Sequence, residues 1–210
     1  FVYWLGPDMG VYYLSGRIAD PALSDGQRLA AAQTFVQIDL FPRICMSLML
    51  TVGGILTEYV GIPHPPWQWA GILLLGPVWL TMILIQHFKH GTPLGDTVTK
   101  LDFYFRWALM IGILGSVVYS WSTGRLETAP WVAGKLILFS GILMFGLLMR
   151  VAVKPMMGAI AQLASEGSSD EVNQAMVTSL SKTKPFVWGL WACLVLEAFL
   201  GVFQPGSPAG

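Results

Sequence analysis

The chain has 210 residues, of which 54% are hydrophobic and 11% are charged, whereas about 25% are charged in an ordinary soluble domain. Its 12 basic and 12 acidic residues cancel, so the charge does not indicate nucleic acid or an acidic substrate as a partner. Several apolar stretches reach the roughly 20 residues that a helix needs to cross a bilayer. The ten-residue alternation of an outer-membrane barrel is absent. We therefore predict an all-α, polytopic transmembrane helical bundle.

The apolar stretches predict about six spans within a single membrane domain over residues 1–210. In chain order, the spans are expected at about 1–15, 35–59, 67–88, 102–122, 131–153 and 186–202. The first stretch begins at Phe1 and is shorter than a full span, so we expect it to be truncated at its N-terminus. Pro7 interrupts the first span, and Pro42 is expected to kink the second, because proline removes a hydrogen bond of the helix backbone.

Two polar connections are each expected to contain a short helix at the cytoplasmic surface. Ser24 and Gln27 form a capping box that starts a helix over about 24–33. Ser168 and Glu171 form a second capping box, which starts a helix over about 168–182. The modest amphipathicity of the second helix is typical of a helix that lies on the membrane surface or packs on the loops.

Basic residues are concentrated in alternate connections, which predicts an orientation. The connections after the first, third and fifth spans contain Arg17, Arg28, Lys89, Lys100, Arg150, Lys154, Lys182 and Lys184. The connections after the second and fourth spans contain only Arg125, and Lys135 lies just inside the fifth span. Because cationic loops stay in the cytoplasm, we predict that 16–33, 89–101 and 154–184 are cytoplasmic and that both termini lie outside.

Ionisable residues inside spans are the best indicators of function, since each is costly in lipid unless it is paired. Asp39 and Arg43 are four residues apart and therefore share a helix face, and Asp102 and Arg106 repeat this spacing at the start of the fourth span. Asp8 is expected at a comparable depth, so these residues form a candidate intramembrane polar cluster. The cluster either fixes the register of the helices or takes part in transport or redox chemistry.

A second candidate pair is predicted in the outer half of the membrane. Lys135 belongs to the fifth span and Glu197 to the sixth. An ion pair between them would join these two spans and neutralise both charges in lipid.

Histidine supplies the candidate cofactor-binding residues, which are His87 and His64. A haem in a helical bundle usually takes two axial side chains from different helices at one depth. His64 lies in an outer loop and His87 at the inner end of the third span, so they do not supply that pair. A single axial ligand to a haem or other tetrapyrrole stays open. No metal site is assigned, because the ten methionines that would suit Cu(I) are also ordinary core residues.

Three segments carry a family resemblance. They are VYWLGPDMGVYY over residues 2–13, GKLILF over residues 134–139, and a basic-flanked surface segment before the last apolar helix. Together they resemble the CopD-like group of multi-span bacterial inner-membrane proteins, which are mostly uncharacterised and distantly similar to HemJ-type proteins. The resemblance implies a membrane bundle in the bacterial inner membrane. Those relatives typically carry a histidine just before the tryptophan–glycine segment, a position that would precede Phe1.

The leading functional hypothesis is a non-catalytic integral membrane protein, an accessory or structural subunit packed against a larger membrane complex. No phosphate-binding glycine loop, zinc-binding helix or nucleophile turn is present, so no catalytic residue is assigned. Its expected partners are the lipid bilayer and other membrane subunits, with no nucleic acid. The first alternative is a haem- or copper-handling protein of the CopD or HemJ type, and the second is a small transporter that uses Asp8, Asp39 and Arg43.

Overall fold

A computed structural model describes residues 1–207, and every regular element within that range is a helix. The helices are α1 (Val2–Ile18), α2 (Asp25–Ile38), α3 (Leu40–Thr57), α4 (Pro66–Phe88), α5 (Pro93–Ser122), α6 (Trp131–Ala152), α7 (Lys154–Glu166) and α8 (Asp170–Phe203), with a 3₁₀ turn at Glu58–Val60. The predicted all-α class is confirmed. The last three residues of the predicted domain, 208–210, lie outside the described range.

Five helical stretches in the described range are long and apolar enough to cross a membrane. They are Asp25–Val60, Pro66–Phe88, Pro93–Ser122, Trp131–Glu166 and Asp170–Phe203, with mean hydropathies from 1.5 to 2.3. Helix α1, with 17 residues, is shorter than these five. Only 17–28% of the residues in the apolar windows are buried, so most of their side chains are at least partly exposed. This is the arrangement of a membrane-embedded protein, whose outer surface contacts lipid tails.

The second apolar stretch is a helix with a single interruption. Helix α2 ends at Ile38, Asp39 is its C-terminal cap, and α3 begins at Leu40. The interruption lies one turn before Pro42, where the proline ring crowds the carbonyl group four residues earlier and provides no N–H. The helix predicted over 24–33 and the span predicted over 35–59 are therefore consecutive segments of one long helical stretch.

Three other helix boundaries differ from the sequence-based ones. Helix α5 begins at Pro93, nine residues before the predicted start, because the Thr92 hydroxyl accepts a hydrogen bond from the backbone of Gly95 and caps it. Helix α7 occupies a segment that was predicted only to be non-spanning. The helix predicted over 168–182 is the first part of α8, which continues through Pro185 into the last apolar stretch.

The helices divide into two compact units, which we describe separately. Unit 1 consists of residues 1–42 and 144–192, and unit 2 consists of residues 43–143 together with the described residues from 193 onward. In unit 1, α1 packs on α2 and α2 packs on α7. Its core joins the end of α1, α2, α7 and the first half of α8 through Ile18, Ala19, Ala31, Ala32, Met156, Ala159, Leu163, Val172 and Met176. The predicted surface helix thus buries its apolar face against other helices.

In unit 2, a threonine hydroxyl joins α3 to α4. The Thr51 hydroxyl donates to the carbonyl oxygen of Ile72 at 2.6 Å and accepts from the backbone N–H of Gly76 at 2.9 Å. These two peptide groups are four residues apart and would normally bond to each other within α4. A side chain inserted in this way is a known cause of helix distortion, and here it lies next to Pro77.

Candidate functional site

The most deeply buried charged group of unit 2 is the pair that the sequence predicted between Asp102 and Arg106. The Arg106 Nε donates to Asp102 Oδ2 at 3.0 Å, and the two side chains are 7% and 0% exposed respectively. The structure contains this pair, in the third and fourth turns of α5, because the helix begins at Pro93.

Two residues that the sequence did not assign complete the surroundings of this pair. The indole Nε1 of Trp79 donates to Asp102 Oδ1 at 2.9 Å, so α4 supplies a hydrogen bond to a carboxylate of α5. The guanidinium carbon of Arg106 lies 5.5 Å from the centre of the Trp79 ring, and Arg106 Nη1 lies 3.4 Å from the sulfur of Met46. Trp79 is fully buried. A buried indole N–H needs a hydrogen-bond acceptor. A tryptophan in the middle of an apolar helix is therefore the sequence signal that could have indicated Trp79 as a partner of Asp102.

These contacts place partners around both members of the ion pair. The carboxylate accepts hydrogen bonds at both oxygens, and the guanidinium has an opposite charge, an aromatic face and a sulfur around it. Buried charges are tolerated when they are paired and hydrogen-bonded in this way. The arrangement can orient α4 against α5.

In unit 1, the buried carboxylate of Asp8 also accepts a hydrogen bond from an indole. Trp191 Nε1 on α8 donates to Asp8 Oδ2 at 2.6 Å, and Asp8 is 7% exposed. The Tyr12 ring lies one turn further along α1 and contacts the Trp191 ring edge-on at 5.5 Å. The hydrogen bond ties the first helix to the last one, across 183 positions of the sequence.

The remaining members of the predicted polar cluster are Asp39 and Arg43. Asp39 is half-buried at the junction of α2 and α3 in unit 1, within electrostatic reach of Asp8. Arg43 is exposed and belongs to unit 2. A functional cluster of Asp8, Asp39 and Arg43 stays a prediction.

The predicted pair of Lys135 and Glu197 does not form a hydrogen bond. Glu197 on α8 is 2% exposed, yet neither of its carboxylate oxygens has a hydrogen-bonding partner. The Lys135 ammonium group lies 5.8 Å from the centre of the Trp131 ring, where the face of the indole attracts it. Lys135 therefore acts on Glu197 only through a longer-range charge interaction.

Arg28, predicted only as one of the cytoplasmic loop cations, is fully buried in unit 1. Its Nε donates to the carbonyl oxygen of Ile18 at 2.8 Å, and its Nη1 donates to Asn173 Oδ1 at 2.8 Å and to Ser168 Oγ at 3.3 Å. Its Nη2 lies 2.8 Å from the sulfur of Met176. The side chain thus joins the end of α1 to the start of α8. Sequence patterns cannot identify this role, because the acceptors lie up to 148 positions away.

The two candidate histidines both belong to unit 2, in different settings. The Thr57 hydroxyl donates to the carbonyl oxygen of Gly54 at 2.6 Å, so its oxygen accepts from His64 Nε2 at 2.7 Å. This assigns the ring proton to Nε2 and leaves a lone pair on Nδ1, which is buried without a hydrogen-bonding partner. His87 is half-buried at the end of α4, and its ring contacts that of Phe88 edge-on at 5.0 Å.

No group of three or more histidine, cysteine, aspartate or glutamate side chains able to hold a metal ion occurs within residues 1–207. Cys45 and Cys193 are free and half-buried. Comparison of the chain with known protein families, with curated proteins and with solved structures found no match. The geometry above defines a membrane-embedded helical protein whose buried charges are enclosed by its own side chains.

Proposed function

We propose that this protein is a non-catalytic integral membrane subunit that packs against a larger complex in the bacterial inner membrane. The observation that carries the proposal is a face of small residues on α5, which lies exposed on unit 2. We call it the small-residue face, and it consists of Ala108, Gly112, Gly115 and Ser116.

The geometry of this face suits close packing against another helix. Ala108, Gly112 and Ser116 recur every four residues and therefore lie along one side of α5, and all four members of the face are exposed. A β-carbon placed on Gly112 or Gly115 would have no atom within 4 Å. Small residues at this spacing let two membrane helices approach closely, and association between membrane helices depends on such packing. Within the part of the chain that the structure describes, all four side-chain positions are open to the surroundings.

The buried charges support a structural rather than a transporting role. Asp102 is held by Trp79 and Arg106 in unit 2, and Asp8 is held by Trp191 in unit 1. A transport site needs polar groups that are available to a substrate near the middle of the membrane, commonly on broken helices. These carboxylates are instead engaged with indole and guanidinium donors.

Co-purification tests the proposal directly. The tagged protein is extracted from its native membrane in a mild detergent, and its partners are separated on a native gel and identified by mass spectrometry. We expect a defined complex with other membrane proteins, which Gly112→Leu disrupts because a leucine there prevents close approach. Val118→Leu is the matched control, since Val118 is 69% exposed on a different side of the same helix. A wild-type chain that migrates alone would contradict the proposal, and a complex that survives Gly112→Leu would exclude the small-residue face as the contact.

We also propose that both termini lie on the periplasmic side. The alternation of basic connections supports this orientation, because cations near the ends of spans are retained in the cytoplasm. Alkaline phosphatase fused to the C-terminus is expected to be active, since the enzyme needs the oxidising periplasm to fold. An inactive fusion, together with a fluorescent green fluorescent protein fusion at the same position, would reverse the orientation.

A haem- or copper-handling function is the second candidate, and the lone pair on His64 Nδ1 is the observation that favours it. A histidine that ligates a metal usually donates its other ring N–H to a neighbour, as His64 does to Thr57. The resemblance to CopD-like and HemJ-like proteins also supports this candidate. An absorption spectrum with a Soret band, or bound copper that is lost in His64→Ala, is the expected result. A colourless, metal-free protein purified from its native membrane would remove this candidate.

A further inference from the structure

The unpaired carboxylate of Glu197 is the one buried acid whose oxygens are both without a hydrogen-bonding partner among residues 1–207. Glu197 lies in the last apolar helix, and the surrounding packing is tight. A β-carbon on Gly134 of α6 would come within 2.9 Å of Leu200, and one on Gly141 would lie 3.5 Å from the sulfur of Cys193. Glu197 is thus enclosed where α6 and the end of α8 meet in unit 2.

Two titratable groups of unit 2 act on Glu197. Cys193 precedes it by one turn of α8, and Lys135 belongs to α6. The Lys135 ammonium lies beside Gly201, because a β-carbon there would be 3.2 Å from Nζ. Since Gly201 follows Glu197 by four residues, the ammonium lies about 6 Å further along the helix axis. Both side chains have several rotatable bonds, so their rotation shortens this separation.

The missing partners determine which form of Glu197 this arrangement favours. An ionised carboxylate without hydrogen bonds is among the most unfavourable groups to bury, whereas a neutral carboxylic acid leaves one donor and one acceptor unmatched but no charge, at about 1–3 kcal/mol for each group. Lys135 meanwhile remains on the Trp131 ring, where it interacts without a carboxylate. We propose that Glu197 is a reversible proton-binding site inside the membrane, with Lys135 as the cation that pairs with it when the proton leaves.

The two states of the site differ by one proton, and the released proton accounts for the whole change in charge. In the first state Glu197 carries the proton and Lys135 lies on the Trp131 ring. In the second state the proton has passed to water, and the Lys135 ammonium has left the ring to form an ion pair with the Glu197 carboxylate. Proton release is thereby coupled to a rotation of the Lys135 side chain of α6 towards Glu197 of α8, which makes the charge of this part of unit 2 depend on the proton concentration.

Infrared spectroscopy of the purified protein in lipid nanodiscs tests this proposal. A protonated carboxyl group has a C=O stretching band that an ionised carboxylate lacks, and the band shifts in D₂O. We expect Glu197→Gln to remove one carboxyl group from this band, while Glu127→Gln leaves it unchanged because Glu127 is exposed. Glutamine has the shape and neutrality of the protonated acid, so this variant is expected to fold. Glu197→Asp provides an independent assignment, because it should displace the band rather than abolish it.

A second comparison tests the role of Lys135. In the wild type the Glu197 band should disappear reversibly as the solution is made alkaline. In Lys135→Met it should persist under the same conditions, since the ionised carboxylate has lost its cation. An identical infrared band in wild type and Glu197→Gln would overturn the proton site, and an identical response to alkali in wild type and Lys135→Met would overturn the role of the lysine.

Discussion

The ion pair between Asp102 and Arg106 allows a single substitution to test the electrostatics of unit 2. Asp102→Asn preserves the size of the side chain, and the asparagine oxygen still accepts from Trp79 Nε1. The substitution removes the negative charge and turns an amide donor towards Arg106 Nε. Because Arg106 is only 6% exposed, water cannot replace the lost carboxylate. The expected result is a large loss of stability.

The size of the loss in the free energy of unfolding shows whether it arises from the ion pair or from a hydrogen bond. Removing one partner of a buried ion pair costs about 3–5 kcal/mol, because the other charge stays buried and uncompensated. A neutral hydrogen bond between membrane helices is worth only about 0.6 kcal/mol on average. Since Asp102→Asn keeps the bond to Trp79, we expect a loss of about 3–5 kcal/mol, a large part of the typical 5–15 kcal/mol of a folded domain.

Unfolding in mild detergent, followed by the circular dichroism of the helices as sodium dodecyl sulfate is added, measures this loss. The control is Asp96→Asn, because Asp96 is exposed in the first turn of the same helix, where its carboxylate contributes about 0.3–1 kcal/mol. The double variant Asp102→Asn/Arg106→Met should regain most of the stability, since it removes the uncompensated buried charge while the asparagine oxygen still accepts from Trp79 Nε1.

Two outcomes would refute this reasoning. If Asp102→Asn is no less stable than Asp96→Asn, the carboxylate charge does not stabilise Arg106. If the double variant is as unstable as Asp102→Asn, shape rather than charge decides the stability of this part of unit 2.

Three further predictions concern single contacts. Thr51→Val should destabilise unit 2 by about 1–3 kcal/mol, because two peptide groups of α4 lose the hydroxyl that bridges them. Arg28→Met should expose the start of α8 in unit 1 to limited proteolysis, since the guanidinium binds three acceptors there. Gly95→Ala should destabilise the start of α5, although alanine for glycine in a helix ordinarily stabilises by about 1 kcal/mol, because the added β-carbon would overlap the carbonyl group of Lys89. Unfolding in detergent measures the first and third effects.

Each of these predictions has a matched control. Thr81→Val should have little effect, because Thr81 is exposed and bonds only to a carbonyl of its own helix. Arg28→Lys should protect α8 only partly, since one ammonium cannot reach all the acceptors. Gly26→Ala should be stabilising or neutral, because its β-carbon would have no atom within 4 Å. Equal effects in a variant and its control would contradict the corresponding contact.

Local rules account for much of the fold. The length and apolar character of the stretches predict the helices, because a helix satisfies its own backbone and crosses lipid at a known rise per residue. The four-residue spacing predicts the pair of Asp102 and Arg106, since it places both on one side of a helix. Helix ends were less predictable. The surface helix predicted over about 168–182 and the span predicted over about 186–202 are one helix, α8, which passes through Pro185 because neighbouring groups can compensate for a proline in a membrane helix.

The sequence by itself determined the all-α class, the apolar helices and the charge pairs that belong to one helix, because these depend on neighbours within a few residues. Only the tertiary structure decided which groups meet across helices. It placed Trp191 on Asp8 and Trp79 on Asp102, and it buried Arg28 among acceptors far away in the chain. It also left Glu197 without a hydrogen-bonding partner. Such contacts depend on packing angles and rotamers of distant segments, which no local pattern of residues specifies.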